Sequence, residues 1–340
     1  MINIVEPIHI TRGRRYALAI LLATIWLMMA NVAAAPLIYA AEMQPQADNA
    51  VVNAIAAGTD HTCEIKSGGV VACWGAAEDG QSTPPPGIFI QVSLGELHSC
   101  GLKSDNTLAC WGSVDTEQSV APSGAFKQVS AGAEHNCAIR TAGDIICWGD
   151  DFEGVVPTGA FLQISAGDFH TCGIRSDKTL VCWGEDEEGA SIPPAGAFTA
   201  VSAGGYHNCA IRETGDVACW GENDQGQATP PAGTFSQISA GSAHTCGIKT
   251  DSTLVCWGDG ENGQTAAPAG AFIGLSAGDE YNCAIRSDGT VICWGINDEG
   301  QAPVIQLNPT VLPRAQAGVA YGQTISATAL NYAVVAPRFD

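Results

Sequence analysis

Apolar and polar side chains alternate with the period of a β-strand along short, recurring segments of this chain. Phe126-Lys-Gln-Val-Ser130 and Phe198-Thr-Ala-Val-Ser202 are two of them, and each runs into Ala-Gly. A second kind of segment comes in pairs. Cys283-Ala-Ile-Arg286 and Thr290-Val-Ile-Cys293 flank Ser287-Asp288-Gly289. A three-residue loop whose third residue is left-handed is a favoured hairpin connection, and Gly289 suits that third position. This loop pairs Ile285 with Val291, Ala284 with Ile292 and Cys283 with Cys293. A two-residue turn would instead put Cys283 opposite Trp294. Cysteine spacing and turn chemistry thus specify one register, with a disulfide across the hairpin. Stretches such as Gly226-Gln227-Ala-Thr-Pro-Pro are expected to add a short outer strand, for about four strands per unit.

The unit repeats. Its first cysteines are Cys63, Cys100, Cys137, Cys172, Cys209, Cys246 and Cys283, which step along the chain by 37, 37, 35, 37, 37 and 37 residues. Their partners are Cys73, Cys110, Cys147, Cys182, Cys219, Cys256 and Cys293, each followed by Trp-Gly. All fourteen cysteines fall in this frame. A period near forty residues with several short strands per unit predicts an all-β, seven-bladed β-propeller with one hairpin disulfide per blade. Zinc is the competing use of the cysteines, but C-x9-C lacks the short knuckle of structural zinc sites. The copies also alternate. Units two, four and six place Gly after the first cysteine, whereas units three, five and seven place Ala there and Gly in the turn.

The pattern S-A-G-x-x-H-x-C-x-I-(R/K)…V-x-C-W-G-x-N-x-x-G-Q resembles the repeat of the regulator of chromosome condensation family. It is most similar to the cysteine-bearing variant in crinkly-type plant receptor ectodomains and secreted bacterial proteins. The resemblance covers residues 51–303 and implies a propeller used for protein binding. Chromatin-associated members of the family catalyse nucleotide exchange on a small GTPase, a role that neither the charge nor the cysteine chemistry of this chain favours.

The ends differ from the array. Arg12, Arg14 and Arg15 precede an apolar run from Tyr16 to about Val32 and then small residues, which describes an export signal over 1–40. Its rival is an uncleaved anchor, because the run borders on spanning length. With the signal removed, no membrane insertion is expected. Residues 41–50 read as a linker and 51–307 as the propeller, with Val304-Ile-Gln-Leu307 as a candidate strand to close the ring. Residues 308–340 resemble the first strands of an immunoglobulin-like module, too short to build one and expected to be poorly ordered. Paired cysteines agree with a secreted or cell-surface location.

Charge narrows the choice of partner. The formal net charge is −21, and without residues 1–40 the balance is 11 basic against 34 acidic residues, or −23. In the hairpin scheme the Ala-Gly-x-x-His and Trp-Gly loops lie at one end of each blade and carry 23 carboxylates, against seven at the hairpin tips. A negative face repels nucleic acid and anionic membranes and attracts a basic protein or cell-surface component; solubility alone is the plainer reading. Candidate contact residues are those that depart from the repeat: Phe152 and Phe169, together with Glu185, Asp186, Glu187 and Glu188. Asp259-Gly-Glu-Asn-Gly263 and Glu222-Asn-Asp-Gln-Gly226 offer oxygens to calcium but do not fit a calcium-loop pattern, so solvated turns are expected and no cofactor is assigned. His61, His98, His135, His170, His207 and His244, with Tyr281 in the seventh place, recur too regularly for a single metal site and are expected to hold the preceding Ala-Gly turn. No unit sets a nucleophile beside a base. The expectation is a monomeric, non-enzymatic binding module, with a channel-site lyase or hydrolase and a structural adhesion module as rivals.

Overall fold

A computed structural model describes residues 55–66, 68–150 and 155–302, with two further short strands at 307–308 and 326–327. Blade 1 comprises β1 (Ile55–Ala57), β2 (His61–Ile65) and β3 (Val71–Gly75). Blade 2 is β4 (Phe89–Leu94), β5 (His98–Lys103) and β6 (Leu108–Gly112). Blade 3 is β7 (Phe126–Ala131), β8 (His135–Arg140) and β9 (Ile145–Gly149). Blade 4 is β10 (Phe161–Ala166), β11 (His170–Arg175) and β12 (Leu180–Gly184). Blade 5 is β13 (Phe198–Ala203), β14 (His207–Arg212) and β15 (Val217–Gly221). Blade 6 is β16 (Phe235–Ala240), β17 (His244–Lys249) and β18 (Leu254–Gly258). Blade 7 is β19 (Phe272–Ala277), β20 (Tyr281–Arg286) and β21 (Val291–Gly295). Each blade is an antiparallel sheet in chain order, giving the seven-bladed propeller expected.

The hairpin register is the predicted one. Cys283 faces Cys293, Ala284 faces Ile292 and Ile285 faces Val291. The amide of Arg286 bonds the Thr290 carbonyl at 2.8 Å. Counting alternate pairs from there puts the two cysteines at a non-hydrogen-bonded position, where facing Cα atoms come closest. In all seven hairpins the cysteine Cα atoms lie 4.0–4.1 Å apart and the sulfurs are bonded.

One expectation changes. The Gly-Gln…Pro-Pro stretch is not a fourth strand; each blade has three. Its prolines cannot donate to a ladder, and it is anchored by single groups instead. Buried Gln81, Gln227 and Gln264 each present a carbonyl to the indole of the next blade, from Trp111, Trp257 and Trp294 at 2.7–2.9 Å. The candidate strand to close the ring falls almost wholly beyond the described residues. Val304–Gln306 lie outside the described residues, and Leu307 pairs with Ala327 in a separate two-residue ladder.

The ring closes through side chains and glycines. Tyr281 Oη bonds Thr62 Oγ1 and donates to the His61 carbonyl, Trp74 donates to the Gln301 carbonyl, and the Ala57 amide donates to Ser276 Oγ. The last two recur between other blades, as Trp111 to the Gln81 carbonyl and the Ala131 amide to Ser93 Oγ, while Tyr281 takes the place of a histidine. A Cβ on Gly95 would lie 2.3 Å from the Gly132 carbonyl oxygen, and one on Gly278 would lie 2.4 Å from that of Gly58. The second glycine contact spans the ends of the array. The Ala-Gly turn therefore needs glycine because the next blade's backbone occupies the space.

The glycine of the turn before each histidine donates to that histidine's backbone carbonyl, as Gly95 does to His98 at 2.9 Å, and the imidazole reaches elsewhere. His98 Nε2 reaches Asn136 Oδ1 of the next blade at 2.9 Å, and His170 and His244 reach Asn208 and Asn282 likewise. Asn136 Nδ2 already donates to the Gln118 carbonyl, so its Oδ1 must accept and the imidazole must donate. A belt of such bonds runs between blades. Apolar clusters fill the same interfaces: one comprises Cys172, Ile174, Phe198, Val201 and Ala210.

The alternation of units has a packing basis. In blades 2, 4 and 6 a Cβ at the glycine after the first cysteine would meet the blade's own phenylalanine ring, at 2.5 Å from Phe89 for Gly101. There the phenylalanine also meets the tryptophan edge-on, as Phe161 does Trp183 at 6.2 Å. In blades 3, 5 and 7 alanine takes that space, as Ala138, Ala210 and Ala284. Residues 1–54 and 303–306 lie outside the described set, as do 309–325 and 328–340, so the expected signal, linker and tail module are not among the structural features.

Candidate functional site

The inner strands of the blades enclose a channel lined by their Ser-Ala-Gly segments. At one end it opens into a cavity of 270 Å³. In six of the seven blades the residue after the Ala-Gly glycine stands at this mouth, so Thr59, Glu96, Ala133, Asp168, Ser242 and Asp279 line it. A β-turn between the inner and middle strands holds each one. The Trp-Gly loops approach the same end, because the strand pairing sets His207 opposite Gly221 and His170 opposite Gly184.

Carboxylates crowd there. Asp168 is half-buried, and burial, then Asp279 and Glu96, pushes its carboxyl up to about 6. Asp279 and Glu280 are also raised, each by burial first and then by neighbouring acids that include Asp60. Glu134 is raised first by sharing a hydrogen bond with Asp150. The hairpin tips behave oppositely. Asp105, Asp177 and Asp251 are lowered, first by the hydroxyl of the threonine two residues on, and Asp288 first by the Thr290 amide. The described ion pairs, Lys66–Glu64, Arg140–Asp144, Lys178–Glu213 and Arg212–Asp216, all lie on the β2–β3, β8–β9, β11–β12 and β14–β15 hairpins.

Blades 4 and 5 add aromatic surface to this end. Phe169 is 43% exposed and stacks on Tyr206, with centroids 5.4 Å apart and an interplanar angle of 28°. The Tyr206 hydroxyl is raised, first by burial and then by Glu187, Glu185, Asp168 and Glu222. Three of the sequence candidates, Phe169, Glu185 and Glu187, thus converge on Tyr206. Asp186 is used locally, accepting from the Ser191 amide at 2.9 Å. Glu188 is exposed with φ of 54° in the 3-10 turn Glu187–Gly189. Phe152 lies outside the described residues. Tyr206 is the partner that sequence reading missed. Its signal was available, since it precedes His207 as Phe169 precedes His170.

The proposed calcium segments close on themselves. Asp259 accepts from the Glu261 amide and from Gln264 Nε2, and Asn223 accepts from the Ala228 amide. Among the described residues no group of three or more His, Cys, Asp or Glu is arranged to hold a metal ion. Among them, too, no helix is long and apolar enough to cross a membrane. One arrangement looks catalytic: His61 Nε2 lies 2.8 Å from Ser99 Oγ. Both side chains are fully buried, and Ser99 donates to the Gln81 carbonyl, so the imidazole is the donor and not a base.

Comparisons agree with this architecture. The chain is similar to the CRINKLY ectodomain of the Arabidopsis thaliana receptor kinase ACR4, at 29% identity and a TM-score of 0.62, over 72% of this chain and 97% of that one. It is also similar to the ectodomain of the Physcomitrella patens receptor kinase CR4, at 26% identity and a TM-score of 0.64, over 77% and 75%. Prp20p of Saccharomyces cerevisiae shares the fold at 15% identity and a TM-score of 0.61, over 72% and 83%. No curated protein sequence matches the chain. The sequence model of the Regulator of chromosome condensation (RCC1) repeat matches residues 89–115, 126–155, 161–190, 198–227, 235–264 and 272–301, which are blades 2 to 7. Blade 1 has the same strands, register and disulfide without matching. With more than half of its length in six such repeats, the chain belongs to the Regulator of chromosome condensation (RCC1) repeat family.

Proposed function

We propose that this chain is an exported, non-enzymatic propeller that binds a protein with a basic surface at or outside the cell surface. The loops around the channel mouth form the contact. The observation that carries this reading is the opposite behaviour of the two ends. Carboxyl groups at the mouth raise one another, as at Asp168 and Glu280, while the ion pairs sit on the hairpins. A negative surface without internal cations gains most from a cationic partner, and its field speeds encounter at low salt. Seven buried disulfides and the likeness to receptor ectodomains support an oxidising, extracytoplasmic setting.

The test is a pull-down from cell-surface and medium fractions with the disulfide-bonded domain. It is compared with a variant carrying Glu96→Gln, Glu134→Gln, Glu280→Gln and Glu299→Gln, all at exposed positions. The wild-type domain should retain a partner that rising salt releases, and the variant should retain much less. Equal retention by both proteins would sink the reading.

A further inference from the structure

Among the described residues the Phe169–Tyr206 stack takes no part in the apolar packing between blades. Neither ring belongs to the apolar clusters between blades 4 and 5 or between blades 5 and 6, whose aromatic members are Phe198, Trp220, Phe235 and Trp257. In the other blades the same position before the histidine or tyrosine holds Asp60, Leu97, Glu134, Ala243 and Glu280, so the repeat does not require a ring. Two adjacent blades nevertheless supply one each, and the rings meet across the blade boundary at the rim.

The surroundings specify what such a pair can take. Asp168 precedes Phe169, and a Cβ on Gly205 would lie 3.0 Å from its Oδ2. The absence of a side chain at 205 therefore leaves room for that carboxylate beside Tyr206. Glu185 and Glu187, exposed on the Trp-Gly loop of blade 4, and Glu222 on that of blade 5 also act on the Tyr206 hydroxyl. None of these four acids is in an ion pair among the described residues. An apolar ligand would strip water from the carboxylates without replacing it, and an acidic one would be repelled. An ammonium matches the charge but has no flat face. A guanidinium has both a planar surface that stacks on aromatic rings and a fork of N–H donors for carboxylates.

We propose that an arginine side chain of the protein partner docks between blades 4 and 5, its guanidinium on the Phe169–Tyr206 pair and its N–H groups on Asp168, Glu185, Glu187 and Glu222. This rests on the reading above that the partner is a basic protein, and it names the contact that confers selectivity.

Fluorescence anisotropy of short labelled peptides that alternate glycine with arginine, lysine or citrulline tests it, using the disulfide-bonded domain. The arginine peptide should bind most tightly and the neutral citrulline peptide most weakly. The double variant Phe169→Leu with Tyr206→Leu keeps apolar surface and every charge but removes the π-faces. It should lose about fivefold in affinity for the arginine peptide, fall to the level of the lysine peptide and keep the wild-type melting temperature. Undiminished arginine binding by the variant, or equal binding of lysine and arginine peptides by the wild type, would overturn the proposal. Either result leaves the basic-partner reading to its own pull-down, where the aromatic residues are unchanged.

Discussion

At the hairpin tips a single backbone position separates the two kinds of blade. Gly69, Gly143, Gly215 and Gly289 occupy the third turn position with positive φ, and in blades 2, 4 and 6 the same position is Asn106, Lys178 and Ser252, also at positive φ. A residue with a Cβ is strained there. The preceding aspartate compensates locally: Asp251 Oδ1 accepts from both the amide and the hydroxyl of Thr253, at 3.0 and 2.6 Å. Ser252→Gly should therefore stabilise the domain by about 0.5–1 kcal/mol, because the aspartate bonds survive while the strain goes. Thermal denaturation measures this, and a lower melting temperature for the variant would contradict it. Both the turn type and the need for glycine were legible from the sequence, since each depends on neighbours a few residues away. Tyr206 was visible as a departure from the repeat but its stacking was not, because Phe169 lies 37 positions earlier on another blade.

The hairpin is the unit that the disulfide secures. Cys209 is fully buried and Cys219 half-buried, and the bridge packs against Phe235 and Trp257 of the next blade. Each closes a loop of sequence separation 10, for which chain entropy gives a stabilisation of about 2–3 kcal/mol. Replacing Cys209 and Cys219 together by alanine should lower stability by about that amount in chemical denaturation. Under reducing conditions the difference between wild type and variant should narrow; an unchanged denaturation midpoint in the oxidised proteins would refute the account. Inner strands show a limit of reading elements by alternation. Phe161 pairs with Arg175 and Gln163 with Ile174, so Leu162 is bulged out and 44% exposed. The alternation seen in sequence ends in a bulge that only pairing reveals. The middle strands, buried on both faces between blades, do not alternate at all: β14 is buried from His207 to Ile211.

Across the whole molecule the histidine belt ties stability to pH. Burial holds the imidazoles of His61, His135 and His207 down to about 3 and that of His98 to about 4, and lowers those of His170 and His244 from the ordinary 6.5. The unfolded chain therefore takes up protons first as pH falls below 6.5. Stability is full above that value and is lost through the window down to the folded values, by up to about 1.4 kcal/mol per pH unit for each histidine. Asp168, raised to about 6, works in the opposite sense because its carboxyl is protonated more readily in the folded state. Glu134, Asp279 and Glu280 are raised too and act in the same sense as Asp168, but four carboxyls, two of them on exposed side chains, do not offset six buried imidazoles. The urea midpoint should accordingly fall steeply between pH 7 and pH 5, and a midpoint that stayed level or rose would contradict the belt's neutral state.

Hairpin register, disulfide partners, the number of blades and the family followed from the chain by itself, because each rests on spacings of about ten residues repeated in step. Contacts between blades join residues 18 to 38 apart or, at the seam, more than 200 apart, and no local spacing encodes them. Only the closed ring decided that the Pro-rich stretch docks by single bonds instead of pairing, that each histidine reaches forward into the next blade, and that Tyr281 bonds Thr62 across the seam. It also set Phe169 against Tyr206 amid carboxylates drawn from three different loops. Their proximity depends on the curvature of the ring, which the packing of neighbouring blades determines.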